Sequence, residues 1–358
     1  MRRLTAALLF MCAAAVTWQA GVADASVQTN PGVQSASAAS PPSVTVSGVQ
    51  LMRSGKAWLP KGVSMVGSLP CDIAPDSYAK WGAAELTAAK SFGADLMRFQ
   101  ASQPFLDPQS SLYQAGYLDR LKSMVSAAQS SGFVVVLSMQ DHGFLACGDD
   151  SQALPTSSTR RAWKRLAASF LTNPGVIFEL FNEPNNAATT AGWSQWKSGG
   201  GGYVGHQQLV NDLRTMGAKN VLFADGAQKA ETLTGAPTLS DPLKQVAYAI
   251  HPYYMASINT SPSSWDNRWG FMTAKAPVIA SEWNSQSMRV GCRTDDPTLA
   301  AKLVPWLKSH NIGLTGWAFD LPNTLIKDWT WAPTTYTGYA CGVPGGGAGQ
   351  LIHSAFTS

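Results

Sequence analysis

Eight short apolar segments, rich in β-branched residues, recur along the chain and are separated by segments of helical character. They are GVSMVG from Gly62, ADLMRFQ from Ala94, FVVVLSMQD from Phe133, GVIFELFNEP from Gly175, NVLFADG from Asn220, VAYAIHPYY from Val246, PVIASEWNS from Pro277 and GLTGWAFD from Gly313. Successive starts lie 26 residues apart (Asn220 to Val246) to 45 residues apart (Gly175 to Asn220), which is room for one strand, one helix and two loops. Apolar strands alternating with amphipathic helices are typical of a parallel sheet covered by helices. Eight such units predict an α/β fold of the (β/α)8 TIM-barrel type.

Three of the intervening segments carry an apolar face with helical spacing. The faces are Trp163, Leu166, Ala167, Phe170 and Leu171; Leu299, Ala300, Leu303, Val304 and Leu307; and Leu118, Leu121, Val125 and Ala128. Apolar residues that recur at such intervals indicate amphipathic helices, and Asp296-Pro297 is a start signal for the second one. The fifth helix has weaker support, since only LSDPLKQ lies where it is expected.

An open, doubly wound sheet is the alternative α/β architecture. Such sheets carry a glycine-rich phosphate turn after the first strand, and no such turn follows GVSMVG. The count of eight also matches what barrel closure requires. We therefore expect one barrel domain over residues 43–358, in which the alternating segment VTVSGVQLMRSGKAWLPKG forms a short N-terminal hairpin around Ser54-Gly55 that caps one end.

The N-terminus has the pattern of a signal peptide. Two arginines precede an apolar stretch from Leu4 to Trp18, and residues 1–25 end in small residues suited to cleavage. The stretch is shorter than the roughly 20 apolar residues of a membrane span. We expect a secreted protein, extracellular or periplasmic, with no membrane contact after cleavage. Residues 26–42, rich in Ser, Ala and Pro, are predicted to form a flexible leader.

The mature chain would keep an even number of cysteines, which in an oxidising compartment predicts two disulfides. They are Cys71, Cys147, Cys292 and Cys341, and the sequence does not choose among the three possible pairings. Loss of residues 1–25 removes two arginines and one aspartate, so the formal net charge falls from +4 to +3. Such a small positive charge does not indicate a nucleic-acid-binding protein. We expect a monomer that needs no cofactor and binds no nucleic acid.

The carboxyl ends of the predicted strands carry polar, titratable or aromatic residues. They are Arg98; Gln140, Asp141 and His142; Asn182, Glu183 and Pro184; His251 and Tyr253; Glu282, Trp283 and Asn284; and Trp317. In a barrel of this type the working groups lie at these strand ends, on one rim. Taken singly, several have a structural interpretation: a buried glutamate paired with Arg98, a core histidine or a core tryptophan. Their coincidence on one rim favours a functional site.

Two carboxylates, Glu183 and Glu282, end the fourth and seventh strands and are expected to face each other across the barrel mouth. Hydrolysis of a glycosidic bond with retention requires such a pair, one as nucleophile and one as acid and then base. Asn182 offers an amide donor for a sugar hydroxyl. Arg98 and Tyr253 could keep Glu282 ionised, and His251 could orient Glu183 or share its proton.

A metal centre and a serine nucleophile are less consistent with the sequence. The histidines, which are His142, His206, His251, His310 and His353, show neither HxxxH nor HxH spacing. No GxSxG turn is present. The sequence therefore predicts no metal site.

Around the rim residues the chain resembles glycoside hydrolase family 5, the cellulase family of clan A. The resemblance rests on Asn182-Glu183-Pro184 after strand four, His251-Pro252-Tyr253 after strand six, Glu282 in PVIASEW, Arg98 near the end of strand two and Trp317 on strand eight. The triplet Asn-Glu-Pro alone is weak evidence for the family, but the ordered set of these residues over residues 62–320 is specific to it.

This resemblance implies an O-glycosyl hydrolase in which Glu183 is the acid/base and Glu282 the nucleophile. The residues implied to support them or bind the sugar are Arg98, Asn182, His251, Tyr253 and Trp317. It further implies a retaining endo-β-1,4-glucanase (cellulase) that cleaves β-linked polysaccharide or oligosaccharide by double displacement. A β-mannanase, another β-glycanase or an exo-β-glycosidase are alternatives of the same chemistry. A non-catalytic carbohydrate-binding barrel is the alternative from another class.

The third strand departs from the family pattern, which usually has a histidine at its end. Here Gln140 takes that position and His142 follows two residues later. Either Gln140 replaces the substrate contact or a bulge brings His142 into place, so both are candidate substrate-binding residues.

The loops after the strands hold three tryptophan pairs and the cysteines. The tryptophans are Trp193 and Trp196, Trp265 and Trp269, and Trp329 and Trp331, and we expect about half of them to stack on sugar rings. The preferred cysteine pairings, Cys71–Cys147 and Cys292–Cys341, would join loops beside the cleft.

Overall fold

The structure is a computed structural model that describes residues 41–69, 75–141, 152–253, 261–284, 286–287, 291–292, 297–338 and 347–358. Several predictions fall elsewhere. His142, Cys71, Cys147 and Cys341 lie outside the described residues, as do the predicted signal peptide and nearly all of the leader. Those predictions therefore remain predictions.

Eight parallel strands close into a barrel, which confirms the predicted fold. They are β1 (Lys61–Met65), β2 (Leu96–Ser102), β3 (Val134–Gln140), β4 (Val176–Glu179), β5 (Leu222–Asp225), β6 (Val246–Ile250), β7 (Val278–Trp283) and β8 (Gly313–Gly316). Each strand pairs in parallel with the next along the chain, and β8 pairs with β1 to close the ring. All eight coincide with the predicted apolar segments, although β4 ends earlier than predicted, so the Asn-Glu-Pro triplet lies in the loop that follows it.

The helices cover the outside of the barrel. They are α1 (Pro75–Lys80), α2 (Ala83–Ser91), α3 (Gln103–Leu106), α4 (Tyr117–Ser130), α5 (Ser157–Ala167), α6 (Thr190–Ser198), α7 (His206–Thr215), α8 (Ala227–Ala230), α9 (Pro262–Arg268), α10 (Pro297–Ser309) and α11 (Gly349–Thr357). The three predicted apolar faces lie on α4, α5 and α10, except that Phe170 and Leu171 follow the end of α5 in a turn. A capping box of Thr156 and Thr159 begins α5, and Pro297 begins α10. None of the helices in the described part of the chain has the length and apolar composition needed to span a membrane.

The prediction of a helix at LSDPLKQ is wrong. Between β5 and β6 the structure describes only the four-residue α8, in which Gln228 and Lys229 have left-handed φ values of 55° and 60°, and LSDPLKQ forms a turn. The Asp241 carboxylate accepts the backbone N–H groups of Leu243 (3.2 Å) and Gln245 (2.8 Å) and is paired with the Arg214 guanidinium (2.8 Å). An aspartate that bonds nearby backbone N–H groups favours a turn over a helix.

The predicted N-terminal hairpin is also confirmed, with a third short strand. Its strands are Val44–Ser47, Gln50–Arg53 and Lys56–Ala57, all antiparallel. Val44, Leu51 and Trp58 pack against the apolar residues at the amino ends of the barrel strands. The Trp58 indole N–H donates to the Asp95 carboxylate (2.7 Å), which lies just before β2. The hairpin thus closes the end of the barrel opposite the strand carboxyl ends.

The barrel interior has an apolar layer and a polar layer, because side chains two positions apart on a strand point to the same face. The apolar layer, next to the hairpin, includes Leu96, Val136, Ile177, Phe223, Ala249 and Ile279. Two residues further along the same strands lie Arg98, Ser138, Glu179, Asp225, His251 and Ser281, all fully or almost fully buried. The intervening strand residues pack outward against the helices. The interior is therefore polar only towards the carboxyl ends of the strands.

Candidate active site

Arg98, on β2, lies at the centre of the polar layer and is fully buried. Its Nε donates to Glu179 Oε2 (2.6 Å) and its Nη1 donates to Glu282 Oε2 (3.0 Å). Burial disfavours the charge of Arg98, but the two carboxylates outweigh this effect and raise its pKa. Arg98 is therefore a permanent cation that links β4 to β7.

The other end of the guanidinium holds Asn182. Arg98 Nη2 donates to Asn182 Oδ1 (2.6 Å) and to Ser138 Oγ (2.9 Å). The backbone N–H of Asn182 also donates to the carbonyl of Met139 (2.9 Å). Because the carbonyl oxygen of the Asn182 side chain is occupied, its NH2 group is the end that can donate to a substrate.

Glu282 lies near the end of β7, where the strand bulges between Ala280 and Trp283. In a regular strand Ser281 and Glu282 would face opposite sides of the sheet, and a bulge re-aims a side chain. Here both reach the polar layer. Tyr253 Oη donates to Glu282 Oε1 (3.0 Å) while Arg98 binds Oε2, so each carboxylate oxygen is held by one donor.

Glu183 follows β4 and has a positive φ of 53°. This left-handed conformation is uncommon for a residue with a Cβ atom. The backbone N–H of Glu183 donates to Asp225 Oδ2 (3.0 Å), and its Oε1 lies 2.9 Å from His251 Nδ1. The Glu183 side chain keeps 16% of its surface exposed, whereas that of His251 is fully buried. Glu183 is thus the member of this group that faces the open barrel mouth.

His251 follows β6, and its second nitrogen, Nε2, lies 3.1 Å from Ser281 Oγ. Burial disfavours the charged imidazolium, but the carboxylates of Glu282 and Glu183 outweigh burial and raise the pKa of His251 to about 9. At neutral pH the ring therefore carries both protons and donates from both nitrogens, to Glu183 and to Ser281.

The two rim glutamates face each other. A carboxylate oxygen of Glu183, a carboxylate oxygen of Glu282 and a ring nitrogen of His251 all lie within 4.8 Å of one another. One glutamate is held by Arg98 and Tyr253, and the other by His251 and the Asp225 carboxyl group. The two carboxyl groups therefore have different hydrogen-bond partners within a single pocket.

Gln140 and Trp317 are the other predicted side chains that the structure describes. Gln140 is buried at the end of β3, where its Nε2 donates to Ser138 Oγ (3.2 Å) and its Oε1 has no hydrogen-bond partner. Ser138 connects Gln140 to Arg98. Trp317, directly after β8, is 9% exposed and packs with Val66. His142 lies outside the described residues.

Sequence reasoning missed two carboxyl groups below the rim, Glu179 and Asp225, both fully buried. Each had a signal. Glu179 is a charged residue inside the apolar run VIFELF, and Asp225 ends the fifth strand, where the strand-end rule applies as it does elsewhere. Because Glu179 pairs with Arg98 and Asp225 accepts the N–H of Glu183, both belong to the site.

Two groups of side chains bring three potential metal-ligand atoms within 4.8 Å of one another: Glu179, Asp225 and His251; and Glu183, His251 and Glu282. Both groups depend on His251. Histidine binds a metal only as the neutral ring with a free nitrogen, but both nitrogens of His251 have partners and its raised pKa keeps it protonated. A cation in either group would have to displace a proton and a hydrogen-bond partner from His251.

Four of the six loop tryptophans, about half of which were expected to stack on sugar rings, are core residues. Trp193, Trp196, Trp265 and Trp269 are buried in the outer core, whereas Trp329 and Trp331 are half-buried. The indole N–H of Trp196 donates to the carbonyl of Asp225 (3.0 Å), and that of Trp163 to the carbonyl of Leu180 (2.7 Å). These side chains support the backbone of the rim from behind, so burying a large apolar ring and satisfying its N–H explains their presence.

Comparison with known proteins gives a family match over most of the barrel. The family model described as "Cellulase (glycosyl hydrolase family 5)" matches residues 73–321. Among curated proteins, the endoglucanase gh5-1 of Neurospora crassa is 27% identical over 175 residues, which cover 46% of this chain and 41% of that protein. The chain therefore spans less than half the length of that relative.

Solved structures share the fold. The β-glucanase SdGluc5_26A of Saccharophagus degradans, determined in complex with cellotetraose, superposes with a TM-score of 0.68 at 20% identity, over 89% of this chain and 94% of that one. A mannanase catalytic domain from Streptomyces sp. SirexAA-E superposes with a TM-score of 0.57 at 17% identity, over 87% of this chain and 91% of that one.

Proposed function

Because the chain belongs to glycosyl hydrolase family 5, we propose that it hydrolyses β-linked polysaccharide with retention of anomeric configuration. The observation that carries this proposal is the facing pair of glutamates, whose nearest carboxylate oxygens lie within 4.8 Å. Retaining glycosidases place their two carboxyl groups about 5 to 5.5 Å apart, whereas inverting ones leave about 6.5 Å or more for a water molecule.

In the first step Glu282 is the nucleophile. Arg98 and Tyr253 hold one carboxylate oxygen each, which fixes its orientation towards the sugar. Attack on the anomeric carbon forms the glycosyl-enzyme bond and breaks the glycosidic bond, while Glu183 gives its proton to the departing oxygen. Glu183 Oε1 accepts from His251, so Oε2 is the oxygen that carries this proton.

In the second step Glu183, now a carboxylate, takes a proton from water, which attacks the anomeric carbon and releases Glu282. His251 stabilises the Glu183 carboxylate formed between the two steps, because the imidazolium donates to it. The NH2 group of Asn182 is placed to donate to the sugar 2-hydroxyl, a contact that strengthens in the transition state.

The substrate we propose is a β-1,4-glucan cut internally. Support comes from a curated relative named as an endoglucanase and from a fold neighbour determined with cellotetraose. β-Mannan is the second candidate, since a mannanase shares the fold. We further propose that the protein is secreted, on the basis of its N-terminal sequence, and that it acts as a monomer.

A substrate panel with product analysis tests both parts of the proposal. Carboxymethylcellulose, β-mannan, β-1,3-glucan and xylan would be incubated with the protein, with product lengths and anomeric configuration followed by chromatography and NMR. We expect a rapid fall in viscosity with carboxymethylcellulose and initial products in the β configuration. Release of single sugars from chain ends would indicate exo action, and initial α products would contradict retention.

The role of Glu282 is tested with Glu282→Ala and an activated aryl glycoside. We expect turnover to fall by at least about 100-fold, and azide to restore it by forming an α-glycosyl azide. Asp119→Ala, which removes an exposed carboxylate on α4, is the control. Equal activity of Glu282→Ala and the control would rule out the assigned nucleophile and would favour a non-catalytic barrel.

A further inference from the structure

Two carboxyl groups lie side by side beneath the Glu183–His251 pair. Glu179 Oε2 accepts from Arg98 Nε (2.6 Å), and Asp225 Oδ2 accepts the backbone N–H of Glu183 (3.0 Å). The other two oxygens, Glu179 Oε1 and Asp225 Oδ1, are buried, and no N–H or O–H group of the described residues donates to them. Both side chains have 0% exposure. Two such oxygens can satisfy each other only if one carboxyl group keeps its proton.

The charges of the surrounding groups also favour such a proton. The titratable groups that face this pair are Arg98 on β2, Glu183 after β4, His251 after β6 and Glu282 on β7. With Glu179 and Asp225 the site holds four carboxyl groups and two cations. If Glu183 carries the proton that it donates to the leaving group, one further proton on the buried pair makes the cluster neutral.

That proton belongs on Asp225. Glu179 is bonded to Arg98, which lowers the pKa of Glu179 despite its burial, and the neighbouring Asp225 side chain lowers it further. Burial and the neighbouring Glu179 charge raise the pKa of Asp225 well above its ordinary value. Geometry and charge therefore agree on an ionised Glu179 beside a neutral Asp225.

We propose that Asp225 is a positioning residue that works as a neutral carboxylic acid, donating to Glu179 through Oδ1 and holding the backbone N–H of Glu183 through Oδ2. The Glu183 backbone has the unfavourable positive φ of 53°, and Asp225 provides the acceptor for its N–H in that conformation. Asp225 thus aims the acid/base towards the glycosidic bond without adding a negative charge beside it. This proposal rests on the role of Glu183 proposed above.

Replacing Asp225 by asparagine or alanine distinguishes a neutral acid from a carboxylate. An asparagine amide reproduces both bonds, since its NH2 group donates to Glu179 and its oxygen accepts the Glu183 N–H. We expect Asp225→Asn to keep kcat within about 5-fold of wild type and Asp225→Ala to lower kcat by about 100-fold, with KM little changed. Asp119→Asn, in an exposed aspartate on α4, is the matched control. An Asp225→Asn variant as impaired as Asp225→Ala would overturn the proposal.

The pH profile gives a second readout that a merely structural role would not move. Asp225 Oδ2 lies 3.7 Å from His251 Nε2. If Asp225 is neutral, Asp225→Asn leaves the charge around His251 and the alkaline limb of kcat/KM unchanged. If Asp225 is ionised, the substitution removes a negative charge, the pKa of His251 falls and the alkaline limb shifts to lower pH, which would contradict the proposal.

An infrared difference spectrum tests the proton without any substrate. At neutral pH, wild type minus Asp225→Asn should show one carboxylic acid C=O band, and a carboxylate band in its place would overturn the proposal. If wild type cleaves none of the glycans but the acid band is present, the proposed function fails while the neutral acid stands. If wild type is active and the acid band is absent, only the role of Asp225 fails.

Discussion

Replacing Arg98 by methionine should destabilise the fold far more than removing an exposed arginine. The side chains of Arg98 and Glu179 are 0% exposed and that of Glu282 is 10% exposed. Methionine fills much of the same volume but leaves Glu179 as a buried carboxylate without its bonded cation, with the His251 ring 4.0 Å away as the nearest remaining positive charge. Breaking a buried ion pair in this way costs about 3 to 5 kcal/mol, a large part of the 5 to 15 kcal/mol typical of a folded domain.

Glu179 and Glu282 should not contribute equally to the destabilisation by Arg98→Met. Glu282 keeps the Tyr253 donor (3.0 Å) and some contact with solvent, so most of the loss should come from Glu179. Glu179→Gln in the Arg98→Met background removes the unpaired charge and should recover part of the stability. A double-mutant cycle of these two changes measures their coupling directly.

The assay is urea unfolding at pH 7 and at pH 4, with Arg160→Met as the control. Arg160 forms an ion pair as well: its Nε and Nη2 both donate to the Asp212 carboxylate (2.5 and 2.9 Å). The side chains of this pair, however, are 46% and 29% exposed. Such surface pairs are worth about 0 to 1 kcal/mol. At pH 7 we expect Arg98→Met to lower the free energy of unfolding by several times more than the control.

The pH dependence has a definite sign. Arg98 lowers the pKa of Glu179, so the stability from this pair is present above the unfolded pKa of glutamate, near 4.3, and is lost as the pH falls through the lower folded value. In the variant Glu179 can take up a proton, so the gap from wild type should narrow at pH 4. The reasoning would be refuted if Arg98→Met lowered the free energy of unfolding by no more than about 1 kcal/mol at pH 7, or if the difference from wild type did not change with pH.

Three further predictions concern the rim. Tyr253→Phe removes one donor to Glu282 and should lower kcat/KM by about 10- to 100-fold on an aryl glycoside, with the thermal midpoint little changed. The pKa of His251 is raised to about 9. The stability that its protonated ring contributes is therefore complete below pH ~6.5 and is lost as the pH rises through ~9. The free energy of unfolding, measured over this range, should show that loss in wild type but not in His251→Gln. Gln140→Ala removes the buried, unpartnered Oε1 and should raise KM for oligosaccharides by about 10-fold with kcat nearly unchanged; an unchanged KM would mean that Gln140 does not bind substrate.

The barrel could be predicted because its pattern is local. A strand buried on both faces must be apolar over several consecutive residues, and each helix needs one apolar stripe, so both appear in short windows of sequence. The turn at LSDPLKQ was missed because Asp241 binds Arg214, which is remote in sequence, as well as two backbone N–H groups close by. The sequence could not tell which loop tryptophans are buried for a related reason, since a tryptophan in a loop gives the same local pattern whether it faces solvent or packs under the rim.

The sequence by itself determined the repeating strand and helix units and the polar residues at the strand ends, including Glu183, Glu282, Arg98 and His251. These follow from the period of apolar residues and from the common direction of parallel strands. Only the tertiary structure decided which of these groups touch. The bulge that turns Glu282 inward, the positive φ of Glu183 and the buried Glu179–Asp225 pair depend on residues far apart in the chain, whose distances and exposure to water set their charges.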